Sequence, residues 1–228
     1  MKHVDASEIL ERLKAQADPT EVTGMARFGI NSKNTYGVSM PSLRRMARES
    51  GKSHSLALEL WRTGIHEARI MAALIDVPEK VTGTQMDRWA NDFDSWDVCD
   101  QCCSNLFAKT EVAYEKACEW SSARKEFVKR AGFALMAALA VHDKQASNFQ
   151  FLKFLKLIEK EAADERNFVK KAVNWALRQI GKRNLALNKA ALRTAKAIRK
   201  MDSKSARWIG SDALRELNNA IIQKRLRS

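Results

Sequence analysis

A chain of 228 residues fits one large domain or two small ones and can bury a real core. Three Pro, nine Gly and abundant Ala, Leu, Lys, Arg and Glu point to helices, and no apolar run approaches the roughly 18 residues a membrane-crossing helix needs. The net charge of +13 is lopsided: residues 1–120 carry 15 Lys and Arg against 18 Asp and Glu, whereas residues 121–228 carry 25 against 9. A field of that sign attracts nucleic acid, an anionic surface or an acidic protein.

In chain order, Asp5-Ala-Ser-Glu8 reads as a capping box opening an amphipathic helix with Ile9, Leu10 and Leu13 on one face, ending before Asp18-Pro19. A short helix follows over about 20–28, and then a polar, turn-rich stretch over 29–39 with Asn31, Ser32, Asn34 and Gly37. Ser39-Met40-Pro41 restarts a helix with Leu43, Met46 and Ala47 inward and Arg44, Arg45 and Arg48 outward. Helices are expected at about 54–62, 66–77 (stopped by Pro78), 84–92, 95–109 and 111–121. Further helices are expected at about 123–142, 146–162, 165–182, 186–201 and 205–227. The run Ala131 to Val141 is almost wholly apolar, so that helix should be buried on most sides. No segment alternates with period two, and the expected fold class is all-α.

The stretch Asp94-Ser95-Trp96-Asp97-Val98-Cys99-Asp100 carries the most chemistry. At about 100° per residue, Trp96, Asp100, Cys103 and Phe107 share one stripe of the helix, flanked by Val98, Cys99, Cys102 and Leu106. Asp100 thus sits at the edge of an apolar face, one turn from an indole, where a carboxylate is either paired or functional. Cys99 and Cys102 have redox-motif spacing but lack a βαβ context and a second pair for zinc, so they and Cys103 read as small core residues. With Cys118 they suit reduced thiols in a cytoplasmic protein, and no signal-peptide pattern opens the chain. The four His (3, 54, 66, 142) are scattered with no metal-ligand spacing, and nothing resembles a phosphate-cradling glycine loop.

Phe127-Val-Lys-Arg-Ala matches Phe168-Val-Lys-Lys-Ala at a spacing of 41, with a looser echo from His66 to Leu74. A period near 40 filled by helix pairs is that of HEAT-type stacks, with an ordinary helical bundle as the alternative. Lys129 and Arg130, like Lys170 and Lys171, fall in the opening turns of expected helices, where cations oppose the helix dipole. Two readings account for that placement: an anion held by free N–H groups and basic side chains, or drift on a solvated surface. Trp175 lies one turn beyond Lys171, whereas Trp61, Trp89, Trp120 and Trp208 are expected in the core.

Three of these stretches together resemble the DNA alkylation repair family of HEAT-like helical DNA glycosylases, the AlkD-like proteins. Ser95 to Asp100 is similar to the family's Trp-Asp-x-x-Asp segment, Phe127 to Leu135 to the segment bearing a lesion-side Arg, and Asn167 to Arg178 to its Lys-Ala-x-x-Trp-x-Leu-Arg segment. The likeness spans most of the chain and is weakest over 29–60. It implies a single 1–228 domain, a C-shaped stack of helix pairs whose basic concave face holds double-stranded DNA, and a monomer. It also implies hydrolysis of the N-glycosidic bond of cationic N3- or N7-alkylated purines, with no cofactor. Asp100 would then be the catalytic carboxylate and Trp96 and Trp175 aromatic walls around the lesion, while Arg130 would contact phosphate. Lys129, Lys170, Lys171 and Arg178 complete the expected DNA-binding set. Gln179 stands where the family often has an acid, and some branches keep the fold without the activity. A non-catalytic protein that recognises bent, branched or damaged duplex by shape and backbone is therefore the alternative.

Overall fold

The structure, a computed structural model, describes residues 5–227; His3 lies outside them. Among these residues there are fourteen α-helices and no strand. The chain divides into two compact units, one up to Thr110 and one from Glu111 onward.

The first unit holds α1 (Ala6–Lys14), α2 (Pro19–Arg27), α3 (Met40–Ser50), α4 (His54–Arg62), α5 (His66–Ile75), α6 (Gly83–Asn91) and α7 (Trp96–Asn105). The expected capping box is half present, since the Asp5 carboxylate accepts from the Glu8 N–H at 2.8 Å. Asp18, Ser39, Ser53 and Thr82 cap α2, α3, α4 and α6 in the same way. The centre of this unit is α5, whose buried face packs on α3, α4 and α7. Beside it Trp61 and Trp89 stack with centroids 4.0 Å apart.

The turn-rich stretch over 29–39 is as irregular as its composition implies, but it is firmly held. Glu67, on α5 and 1 % exposed, accepts from the backbone N–H groups of Tyr36, Gly37 and Val38 at 2.7 to 3.3 Å. Three N–H donors satisfy a carboxylate that would otherwise be costly to bury. Gly37 has φ +81°, and a Cβ there would meet the Asp18 carbonyl oxygen at 2.4 Å, so this turn requires glycine.

The second unit holds α8 (Ala113–Ser121), α9 (Glu126–His142), α10 (Asn148–Glu161), α11 (Asn167–Gly181), α12 (Leu185–Arg199), α13 (Lys204–Leu217) and α14 (Ala220–Arg227). It is built in two layers: α9, α11 and α13 pack side by side, and α8, α10 and α12 line up against them. The long apolar run behaves as expected, with every residue from Val128 to Ala140 buried in α9. Gly132 lets α8 come close, because a Cβ there would lie 2.6 Å from the Ser121 nitrogen. The internal repeat is structural, since Glu126 and Asn167, 41 positions apart, open α9 and α11. The phenyl rings of Phe127 and Phe168 meet across those first turns at 5.4 Å.

Two expectations are corrected. The last helix does not run unbroken over 205–227: Asn218 and Asn219 end α13, and α14 starts at Ala220. Trp208 is not core but 43 % exposed, whereas Trp61, Trp89 and Trp120 are buried.

Candidate functional site

In the first unit, the acids of α7 separate by environment. Asp97 accepts from the Ser95 hydroxyl at 2.7 Å, and its other oxygen meets Nε2 of His66 at 2.8 Å. Burial alone would lower the imidazole pKa, but the hydrogen bond and charge of Asp97, with Glu67 and Asp94 nearby, outweigh it and hold His66 above the ordinary histidine value. Burial likewise works to raise the Asp97 carboxyl, yet His66, Ser95 and the Val98 N–H keep it below its ordinary value. This is a buried ion pair that ties the first turn of α7 to the first turn of α5.

Trp96 and Asp100, one turn apart on α7, are both half-buried. The Trp96 indole N–H donates to the Phe28 carbonyl at 3.1 Å, and the Asn31 amide donates to Asp94 at 2.8 Å. The loop after α2 therefore orients the indole, which gives residues 28–31 a place beside the site. Cys99, Cys102 and Cys103 are fully buried, and desolvation first of all pushes the Cys102 thiol well up, so these are inert core residues. Among the described residues no cluster of His, Cys, Asp and Glu could hold a metal ion.

In the second unit, α9 and α11 open without a side-chain cap: Lys125 and Arg166 occupy the cap positions in extended conformation. Neither cap residue spends a side-chain oxygen on the helix start, a condition an anion site at a helix N-terminus shares. The cations beside them differ. Lys129 is 8 % exposed and lies between Glu161 at 2.6 Å and Asp164 at 3.1 Å. Its opposition to the helix dipole is answered inside the protein, by the carboxylates of Glu161 and Asp164. Asp164 also accepts from Arg166, which above all, against partial desolvation and with help from Lys129, draws its carboxyl down to about 2. Arg69 on α5, again the fourth residue of its helix, lies 3.7 Å from Asp94 in the loop before α7, a similar staple.

Arg130 is 5 % exposed and donates to the Phe168 carbonyl at 2.7 Å, which fixes its guanidinium at the first turn of α11. Lys170 is half-buried with its ammonium 5.9 Å from the Trp208 ring centroid, and Lys171 is exposed. Trp175, one turn on, is half-buried. Arg178 is committed to Glu216 and approaches Asp212 at 3.7 Å, and Lys182 also reaches Glu216 at 2.7 Å. Arg178 is therefore held by acids of α13, a partnership that its place after Trp175 gave no sign of. The sequence reading also missed His66 and Glu67, whose partners lie about 30 residues away, and the exposure of Trp208.

The chain matches the model of a family described as DNA alkylation repair enzyme over residues 9–217. It is similar to a solved structure described as "a new family of proteins related to the HEAT-like repeat DNA glycosylases with affinity for branched DNA structures". That likeness covers 98 % of this chain and 96 % of the other, with a TM-score of 0.79 and 18 % identity, which speaks for a HEAT-like fold. No curated protein sequence matches.

Proposed function

The chain belongs to the DNA alkylation repair enzyme family, and from that premise we propose that it is a glycosylase that releases cationic N3- or N7-alkylated purines from double-stranded DNA. The observation that carries this reading is the placement of Asp100, half-buried on α7 one turn beyond Trp96, whose indole N–H is held by the Phe28 carbonyl.

The chemistry follows from charge. Alkylation at N3 or N7 makes the purine a cation and weakens its bond to the sugar. As the base leaves, the sugar becomes oxocarbenium-like, and the Asp100 carboxylate stabilises that charge in a poorly hydrated setting. The same group orients or deprotonates the attacking water. Trp96 offers an electron-rich face to the cationic base, worth about 0.5–2 kcal/mol. Lys170 and Lys171, at a start of α11 that has no capping side chain and against which Arg130 is fixed, hold backbone phosphate.

The test is release of methylated bases from alkylated duplex DNA by purified protein. Asp100→Asn keeps shape but removes charge, so release should fall by roughly two to three orders of magnitude, about 3–4 kcal/mol of transition-state stabilisation. Equal release by the variant and the wild type would sink the mechanism. A second reading, a non-catalytic protein for branched or damaged duplex, is favoured by the described affinity of the structural neighbour for branched DNA. No release by wild type, with tight binding to a four-way junction, would decide for it.

A further inference from the structure

Trp208 is the fifth residue of α13, as Lys171 is of α11 and Arg130 of α9. Arg130 donates to the Phe168 carbonyl in the first turn of α11, and Lys170 of α11 lies 5.9 Å from the Trp208 ring centroid, so the openings of α9, α11 and α13 adjoin in that order. Adjacent packed helices lie about 8–10 Å apart. The first two openings carry cations and the third an indole.

That indole is unusual in its setting. Tryptophan is among the most heavily buried residues on average, yet 43 % of Trp208 faces solvent. Its neighbours on α13, Ala206, Ile209 and Gly210, are buried, so the helix is well seated and the exposure belongs to this one side chain. Lys170 reaches over from α11 to within 5.9 Å of its ring centroid, which holds the ring by a cation–π contact and sets positive charge beside it. Of the charged residues near it in the chain and at the start of α11, Lys171 and Lys204 are exposed, Arg207 is paired with Asp202 at 3.1 Å, Asp212 is taken up by Asn174 and Arg215, and Glu165 by Ser203 and the Ser205 N–H. A flat aromatic surface open to water and bordered by cations matches the means by which proteins hold an unstacked base.

We propose that Trp208 is a stacking platform for an unpaired nucleobase, held while the exposed Lys171 and Lys204 engage the adjoining phosphates. The site takes a base displaced from the duplex, at a bulge or a branch point. The proposal rests on the DNA-binding reading above and deepens it, because it names the feature of the nucleic acid that is recognised. Fully paired duplex offers no open base face and gains nothing from Trp208.

Two fluorescein-labelled probes of one sequence test this, a perfect duplex and the same duplex with a single bulged adenine. Wild type should bind the bulged probe more tightly. Trp208→Ala should lose about tenfold on the bulged probe, within the range of base–aromatic stacking, and less than twofold on the perfect duplex. Trp208→Phe, which keeps a ring, should restore most of the difference. Unchanged helical circular dichroism would show that both variants fold. Equal affinity of Trp208→Ala and wild type for the bulged probe overturns the platform but leaves DNA binding standing, as does an equal loss on both probes. Failure of wild type to bind either probe overturns the DNA-binding reading itself, and the platform with it.

Discussion

At the scale of single residues, the His66–Asp97 pair has a pH signature. The folded pKa of His66 is raised, so its contribution to stability is complete below the unfolded value of about 6.5 and is lost as pH rises through the folded value. The folded pKa of Asp97 is lowered, so its contribution is complete above the unfolded value of about 3.9 and is lost as pH falls through the folded value. Urea midpoints should therefore be highest between about pH 4 and 6.5 and decline toward pH 9. Substituting His66→Gln should flatten the alkaline decline and cost about 3 kcal/mol, because it leaves Asp97 buried without its counter-ion. An unchanged alkaline limb would show that His66 is not the titrating group. The helical period alone puts Asp100 on the stripe of Trp96. What occupies Asp97 depends on a histidine 31 positions earlier, and no local pattern reaches that far.

At the scale of elements, the helices were largely legible because each expected face carries its own apolar spacing. The break at Asn218-Asn219 was not, since Leu214, Leu217 and Ile221 keep a helical spacing through it. The repeat gave the matching starts of α9 and α11 but could not tell Lys129 from Lys170. That difference is made by Glu161 and Asp164, which precede α11 and reach back to α9. Replacing Lys129→Met should leave two nearly buried carboxylates facing each other and lower stability by about 3 kcal/mol or more, read by urea unfolding. The close approach of α8 and α9 is equally exacting. Gly132→Ala forces a methyl against the Ser121 backbone and should cost about 1–3 kcal/mol, seen as a lower Tm.

At the scale of the molecule, the charge excess legible in the sequence is distributed in a way that the sequence does not reveal. Lys129, Arg166, Arg178 and Lys182 are each neutralised by a carboxylate. On α12 and just after it, Lys189, Arg193, Lys196, Arg199 and Lys200 are all exposed, and none makes an ion pair with another described residue. Affinity for duplex DNA should fall steeply with salt, by about 0.9 log units per log unit for each phosphate contact. Lys171→Ala should reduce that slope by about one contact, whereas Lys129→Met should leave it unchanged in the molecules that remain folded. A slope insensitive to Lys171 would remove it from the interface. The clasp of Glu67 on Tyr36, Gly37 and Val38 bears on a different axis, that of time. During synthesis the turn over 29–39 emerges some thirty residues before the carboxylate that gathers its amides, so the Asp18 N–H can already reach the Tyr36 carbonyl while the amides of 36–38 still have no acceptor on α5. The clasp therefore closes backward, from α5 to the turn. In pulse-labelled refolding, the amides of residues 36–38 should become protected from exchange only after those of α5.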